Sequence, residues 1–343
     1  MEKQIKTAIL GASGYVGAEL VRLLSAHPNF SIDGLAADRR AGESYGSVYP
    51  HLAHLDLPRL TRIEDMALSD FDLVFAGLPH GVTQKLSHNW PSQTKLVDLS
   101  ADFRLDDPAV YEKWYGLPHV AQDIQPSVAY GLPEFYRAEI GKAQFVANTG
   151  CYVATTLLPL IPLLQARLID PDRIIVDAAS GVTGAGRSAK ENLLYAEVTD
   201  GFAAYAVGGH RHMGEMDQEL SKAAGRPVEV SFTPHLLPQS RGILATIYVD
   251  GDPDTIHGAL AERYGEEPFV DVLERPLLPG TRHVRGSNMC KIGVTADRIQ
   301  GRTIITSALD NLLKGASGQA LQCANIMFKL DEASGLPRAA LFP

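Results

Sequence analysis

Thr7-Ala8-Ile9-Leu10-Gly11-Ala12-Ser13-Gly14-Tyr15-Val16-Gly17 reads as a buried strand that turns through glycines into a helix, with helical apolar spacing from Ala18 to Leu24. Strand, glycine turn and helix in that order let a backbone approach a pyrophosphate and aim helix N–H groups at it. The spacing is G-x-x-G-x-x-G, not the commoner G-x-G-x-x-G, so the context carries the reading as much as the motif. A mere tight turn is the competing interpretation. The next strand, Ile32 to Ala37, ends in Asp38-Arg39-Arg40. An acidic residue near this distance binds a ribose 2′-hydroxyl, whereas arginines with Ser13 accommodate a 2′-phosphate. The balance leans to NADP(H), with Arg39 and Arg40 at the cofactor, against two arginines that only end a strand.

Further strands follow at Phe71–Ala76, leading into Leu78-Pro79-His80-Gly81, and at Lys95–Leu99, leading into Ser100-Ala101-Asp102-Phe103-Arg104. Loops at the C-terminal ends of parallel strands form the ligand crevice. That puts Ser100 and Arg104 where an anion would bind. Residues 105–140 are rich in Pro, Tyr and Trp and read as an irregular covering segment.

Phe145-Val146-Ala147 then returns to the sheet and delivers Asn148-Thr149-Gly150-Cys151, after which an apolar segment runs to Leu164. A cysteine at a strand–helix junction has its sulfur near unpaired N–H groups, where the positive end of the helix favours thiolate. Cys151 is therefore the expected nucleophile, and a small buried residue is the plain alternative.

The second half changes character. Strands are expected at Arg173–Ala178, Glu229–Phe232, Gly242–Val249, Phe269–Val272, Cys290–Val294 and Thr303–Ala308, with long connections. That switch from alternation to strand-rich sequence marks a domain boundary near Cys151. The glycine-rich loop Ser180–Arg187 includes Gly181, whose backbone suits close approach to a flat ring. Gly209-His210-Arg211-His212 precedes a helix through Leu220, with Met213, Met216 and Leu220 on its apolar face. On such a helix the two histidines lie about 200° apart, so if the helix reaches back to His210 only one would meet Cys151. Glu215, three residues after His212, makes His212 the better acid/base. An apolar helix over Asp310–Leu330 packs back on the first domain.

The 343-residue length favours two domains. A net charge of -9 argues against nucleic acid as the main partner. Cys151, Cys290 and Cys323, at irregular spacing, suggest reduced thiols in the cytoplasm and no zinc site. The N-terminus lacks a signal-peptide core, and Val153–Leu164 is too short to span a bilayer, so no membrane role is expected. The expected architecture is α/β plus α+β. A Rossmann-type doubly wound sheet over 1–150, completed by 310–343, precedes a strand-rich α+β catalytic and dimerisation domain over 151–309.

GASGYVG (11–17), LPHG (78–81), DLSADFR (98–104), YGLPE (130–134), ANTGCYVATTLLPL (147–160), SGVTGAGR (180–187), GHRH (209–212), GSNMCKIGV (286–294) and DNLLKGASGQALQ (310–322) resemble, in order, the N-acetyl-gamma-glutamyl-phosphate reductases of the aspartate-semialdehyde dehydrogenase superfamily. The resemblance implies NADPH-dependent reduction of an acyl phosphate, N-acetyl-gamma-glutamyl phosphate, to the semialdehyde and phosphate in arginine biosynthesis. It puts the nucleophile on Cys151 and the histidine on His210 or His212. It puts cofactor phosphates on Ser13, Gly14, Tyr15 and Val16 and a further cofactor contact on Asn311; the glycine turn adds Gly11, and the loop adds Gly181 unless it is only a mobile turn. Substrate or phosphate contacts fall on Ser100, Arg104, Asn148 and Arg211, while Arg187, Lys190, Arg211 and Arg241 compete for the substrate carboxylate. A homodimer or homotetramer is implied. Two other readings stay open: the same chemistry on carrier-bound 2-aminoadipate 6-phosphate in lysine biosynthesis, and a non-catalytic dinucleotide sensor.

Overall fold

The computed structural model describes residues 4–342, which divide into two compact units. The first comprises residues up to Thr149 plus Ala316–Leu336, and the second comprises Gly150–Gly315 with the remaining C-terminal residues. Of the C-terminal stretch expected with the first domain, 310–315 and the residues after Leu336 thus group with the second.

In the first unit β1 (Ile5–Leu10) feeds α1 (Tyr15–Leu24), then β2 (Phe30–Ala36), the one-turn α2 (Tyr45–Val48), β3 (Leu60–Thr61), β4 (Leu73–Ala76), α3 (Thr83–Ser87), β5 (Lys95–Asp98), α4 (Pro108–Tyr115), β6 (Ala129–Gly131), α5 (Pro133–Ile140) and β7 (Phe145–Asn148). The strands form one parallel sheet in the order β3-β2-β1-β4-β5-β7-β6. β1 is buried from Thr7 to Leu10 and β5 from Leu96 to Asp98, as in a parallel sheet covered on both faces. Leu73–Ala76 is wholly buried. Strand order reverses at β1, between β2 and β4, the switch point at which such sheets bind ligands.

Residues 105–140 are more ordered than their composition implies. Asp107 caps α4 by accepting the Ala109 N–H, and three residues, Ala129–Gly131, form the outer strand beside β7. A strand that short leaves no periodicity to read.

The second unit opens with α6 (Cys151–Gln165), followed by β8 (Ile175–Gly181), the one-turn α7 (Tyr195–Val198), β9 (Ala203–Ala204), α8 (His212–Ala224), β10 (Ser231–Leu237), β11 (Ile243–Asp250), α9 (Pro253–Tyr264), β12 (Val270–Val272), β13 (Cys290–Ala296) and β14 (Arg302–Leu309). These strands make a mixed seven-stranded sheet, β12-β13-β14-β11-β8-β10-β9. Along β11, Ile243, Ala245, Ile247 and Val249 are buried while Leu244, Thr246 and Tyr248 are half-buried. One face of the sheet is thus packed, with α6 against β11 and β14 and α9 against β12 and β13, and the other is open. Every residue from Tyr152 to Leu164 is buried. Pro162 lacks the N–H that would bond the Leu158 carbonyl, and the Tyr264 hydroxyl donates to that carbonyl in its place.

Two expectations change here. Strand β10 continues through Pro234, where a connection was expected. Its outer neighbour β9 reaches only His235 and Leu236, so no N–H is demanded of Pro234 on that side. The 310–330 helix is broken: a π-turn spans Leu313–Ser317 before α10 (Gly318–Met327). Helix α10 does pack within the first unit, on α5 and α1.

Candidate active site

The glycine turn after β1 is built by close approach. Gly11 has φ +81°, and a Cβ there would lie 2.3 Å from the Gly77 carbonyl oxygen, just beyond β4. A Cβ on Gly17 would lie 2.7 Å from Ala12 Cα, so α1 starts pressed on its own turn. The Tyr45 hydroxyl donates to the Ala12 carbonyl (3.0 Å), and the Tyr49 hydroxyl lies 2.8 and 3.0 Å from the Ser13 and Gly14 carbonyls. The helical ladder begins only with Ala18 N–H to Gly14 O, 3.0 Å. First-turn N–H groups of Tyr15, Val16 and Gly17 therefore precede the ladder, the arrangement that binds an anion. Residues Gly11, Ser13, Gly14, Tyr15 and Val16 thus lie together, and this turn fits a dinucleotide pyrophosphate. The two tyrosines that pin it carry no sequence signal of their own.

Asp38 lies at the end of β2, where it lines a cavity. Its Oδ1 accepts the Ile63 N–H at 3.1 Å, tying the end of β2 to the loop after β3. Arg39 lines the same cavity, of about 790 Å³, together with Arg62, Lys85, Met66 and Leu86. Arg40 does not line it, and its guanidinium instead pairs with Glu43 at 3.3 Å on the surface.

The loop after β5 is held by its own side chains. The Ser100 hydroxyl donates to Asp98 Oδ2 (2.7 Å) and Arg104 Nη2 donates to the Leu99 carbonyl (2.9 Å), with both residues buried. Ser100 and Arg104 thus serve the loop itself. Asp102 accepts the Gln84 N–H (3.1 Å) and the Tyr111 hydroxyl (3.0 Å), so the same loop fixes the start of α3. Burial, with the Asp102 charge next, pushes the Asp98 carboxyl up to about 7. Asn148, at the end of β7, is buried and donates to the Ala316 carbonyl at 3.2 Å.

In the second unit Cys151 is the first residue of α6, half-buried, with Gly150 as N-cap. The Gly150 N–H donates to Glu215 Oε1 at 3.1 Å, and Glu215 is fully buried. His212 lies directly over this junction: a Cβ built on Gly150 would fall 2.7 Å from its Nε2. Opposite, a Cβ on Gly315 would fall 2.8 Å from the Cys151 Cβ. Glycine at 150 thus leaves room for the His212 imidazole, and glycine at 315 leaves room for the Cys151 side chain.

The helix argument that separated the two histidines does not hold, because α8 begins at His212 and His210 precedes it. Their rings sit edge to face, centroids 4.8 Å apart. His210 Nδ1 accepts the His212 N–H at 3.1 Å, which requires a lone pair on that nitrogen. Burial, with the Arg211 charge second, pushes the His210 imidazole down to about 4. The Tyr205 and Tyr152 hydroxyls are 3.2 Å apart, and Tyr152 donates to the His235 carbonyl at 3.1 Å. Burial, then Tyr205, raises the Tyr152 hydroxyl above its ordinary value.

The other expected contacts have structural duties. A Cβ on Gly181 would lie 2.8 Å from the Arg241 backbone nitrogen, so that glycine admits the neighbouring chain. Asn311 donates to Thr183 Oγ1 (2.9 Å) and accepts the Gly242 N–H (2.8 Å). Arg211 is exposed at the start of α8.

Comparison with known proteins bears on this geometry. Family models of the semialdehyde dehydrogenase NAD binding domain and dimerisation domain match residues 6–143 and 151–311. The N-acetyl-gamma-glutamyl-phosphate reductase of Paracoccus denitrificans is 56% identical over 340 residues, covering 99% of each chain. The chain belongs to that family. The reductase of the same name from Ruegeria pomeroyi is 57% identical, covering 98% of this chain and 99% of its own. Aspartate semialdehyde dehydrogenase II from Vibrio cholerae, complexed with ASA, superposes with a TM-score of 0.74 at 18% identity, covering 96% of this chain and 99% of its own. The Candida albicans aspartate semialdehyde dehydrogenase with NADP gives a TM-score of 0.68 at 18% identity, covering 95% of this chain and 99% of its own. At that identity these structures speak for the fold alone.

Proposed function

We propose that this chain reduces N-acetyl-gamma-glutamyl phosphate to N-acetyl-glutamate 5-semialdehyde and phosphate, with NADPH, through a thioester on Cys151. The observation that carries this is His212 seated against Gly150, next to the thiol at the start of α6. A cationic imidazole and the helix N-terminus both favour thiolate. The thiolate attacks the acyl carbon, a C–S bond forms, and the C–O bond to phosphate breaks. When bound, NADPH supplies the hydride that reduces the acyl group. The hemithioacetal left on Cys151 collapses to aldehyde by expelling the thiolate, with His212 managing the proton. Backbone N–H groups at the start of α6 stabilise the oxyanion.

The phosphorylated cofactor is favoured by Arg39 and Lys85, which line the cavity beside Asp38 and the Arg62–Glu64 pair, while one Asp38 oxygen is taken by the Ile63 N–H. Residues Gly11–Val16 hold the pyrophosphate. The second unit, with an open sheet face, forms the contact of a cytoplasmic homodimer. This reading divides the chain into a cofactor domain and a catalytic domain at Gly150–Cys151.

Phosphate-dependent oxidation of the semialdehyde, followed by NADPH absorbance, tests the reaction. Cys151→Ser is expected to abolish turnover while leaving NADPH binding intact. Full activity in that variant would end the nucleophile assignment, and a clear preference for NAD would end the assignment of Arg39.

A further inference from the structure

His210 is half-buried and ringed by aromatic side chains at the thiol centre. Its ring meets Tyr152, Tyr205, Phe232 and His212, with centroids 5.6, 5.6, 5.5 and 4.8 Å away, each pair steeply inclined. Edge-to-face packing of this kind favours one ring orientation. In that orientation Nδ1 accepts the His212 N–H (3.1 Å), while the His210 carbonyl accepts the Met213 N–H (2.9 Å). Those donors open α8 and have no partner within their own helix. His210 therefore does for α8 what an asparagine cap does, with a ring nitrogen in place of an amide oxygen. The Tyr205–Tyr152–His235 chain of hydroxyls and carbonyl fixes two walls of the enclosure.

We infer that His210 is a positioning residue and not a second acid/base: it acts as a neutral cap that seats His212 over Gly150 and Cys151. This rests on the thioester reading above. Protonation of Nδ1 would remove the lone pair that takes the His212 N–H and would put a cation beside Arg211. Proton traffic therefore belongs to His212, whose ring faces the junction.

The side chain of asparagine places Oδ1 on Cγ, the topological position of histidine Nδ1. Glutamine carries the same amide one methylene further out, and alanine carries no acceptor. His210→Asn is expected to recover kcat to within about threefold of the parent, with the pH dependence of Cys151 alkylation by iodoacetamide unchanged. Cys290 and Cys323 are fully buried, so alkylation reports on Cys151. His210→Gln and His210→Ala are expected to lose roughly ten- to hundredfold in kcat, the scale of an ångström-level misplacement. Should His210→Ala not fold, the Asn and Gln pair still decides. If His210→Asn falls as far as His210→Gln, or loses the pH limb that the parent shows, the cap assignment is wrong and His210 transfers protons. If His210→Gln keeps the parent rate, no positioning is needed and the inference also fails. Failure of the thioester reading looks different, since Cys151→Ser would then turn over normally whatever stands at position 210.

Discussion

Gly150→Ala adds one methyl group at the most sensitive point of the thiol centre. The backbone there has φ -68° and ψ 147°, which alanine adopts freely. The N–H to Glu215 survives, because alanine keeps it. What changes is space: the new carbon would stand 2.7 Å from His212 Nε2, 2.9 Å from Cε1 and 3.0 Å from Cδ2. Ordinary contact needs about 3.5 Å, so the imidazole must retreat by roughly 0.8 Å. Misplacement of a catalytic group by about 1 Å can cost about 100-fold, or about 2.7 kcal/mol of barrier. The expected result is a fall in kcat of about 30- to 100-fold with the KM for NADPH unchanged. Stability should hold or rise slightly, since a compatible Gly→Ala change stabilises by about 0.4–1 kcal/mol and the clash falls on a side-chain tip. Steady-state oxidation of the semialdehyde and a thermal melt measure the two halves. A variant within threefold of the parent kcat would refute the seating of His212 on Gly150.

Tyr264→Phe leaves the Leu158 carbonyl opposite Pro162 without its donor. It should cost about 1–3 kcal/mol, or about 2–4 °C in Tm for each kcal/mol, by calorimetry. An unchanged Tm would show that the proline gap in α6 needs no partner. Tyr49→Phe removes the hydroxyl that holds the Ser13 and Gly14 carbonyls. It should weaken NADPH binding about 5- to 10-fold by titration calorimetry, with kcat at saturating cofactor retained. Asp98, raised from 3.8 to about 7, gives a pH signature. The folded state keeps a proton that the unfolded chain releases, so this contribution to stability falls as pH rises from about 4 to about 7. Asp98→Asn should flatten that slope in urea melts taken at about pH 5 and about pH 8, and an equal slope in both proteins would contradict the assignment.

Much of the fold is legible because it rests on local signals that agree. The run Thr7–Leu24 combines an apolar strand, glycines at close approaches and helical spacing. The strand–helix junction at Cys151 is equally plain. What stays hidden depends on contacts distant in sequence. Strand β6 is three residues whose identity comes from pairing with β7. Pro234 argues against a strand until the shortness of β9 is known. The His212 N–H that opens α8 is taken by the side chain of His210, so periodicity over 209–220 assigns to the helix a residue that precedes it.

The same distinction bears on several motif residues that bond within the protein. Ser100, Arg104, Gly181 and Asn311 lie in stretches that resemble the family closely, and each makes contacts within the protein, to side chains or to neighbouring backbone. A loop that presents N–H groups to an anion must have its carbonyls and turns held elsewhere, because unpaired buried groups cost about 1–3 kcal/mol each. Tyr45 and Tyr49 do this for the turn at Gly11 without belonging to its motif. Asp102 does it for the start of α3 from inside the DLSADFR stretch. Motif similarity therefore marks the parts that shape a site as strongly as the parts that touch its ligands. Geometry separates the two, and under the proposed thioester route it assigns the chemistry to Cys151 and His212.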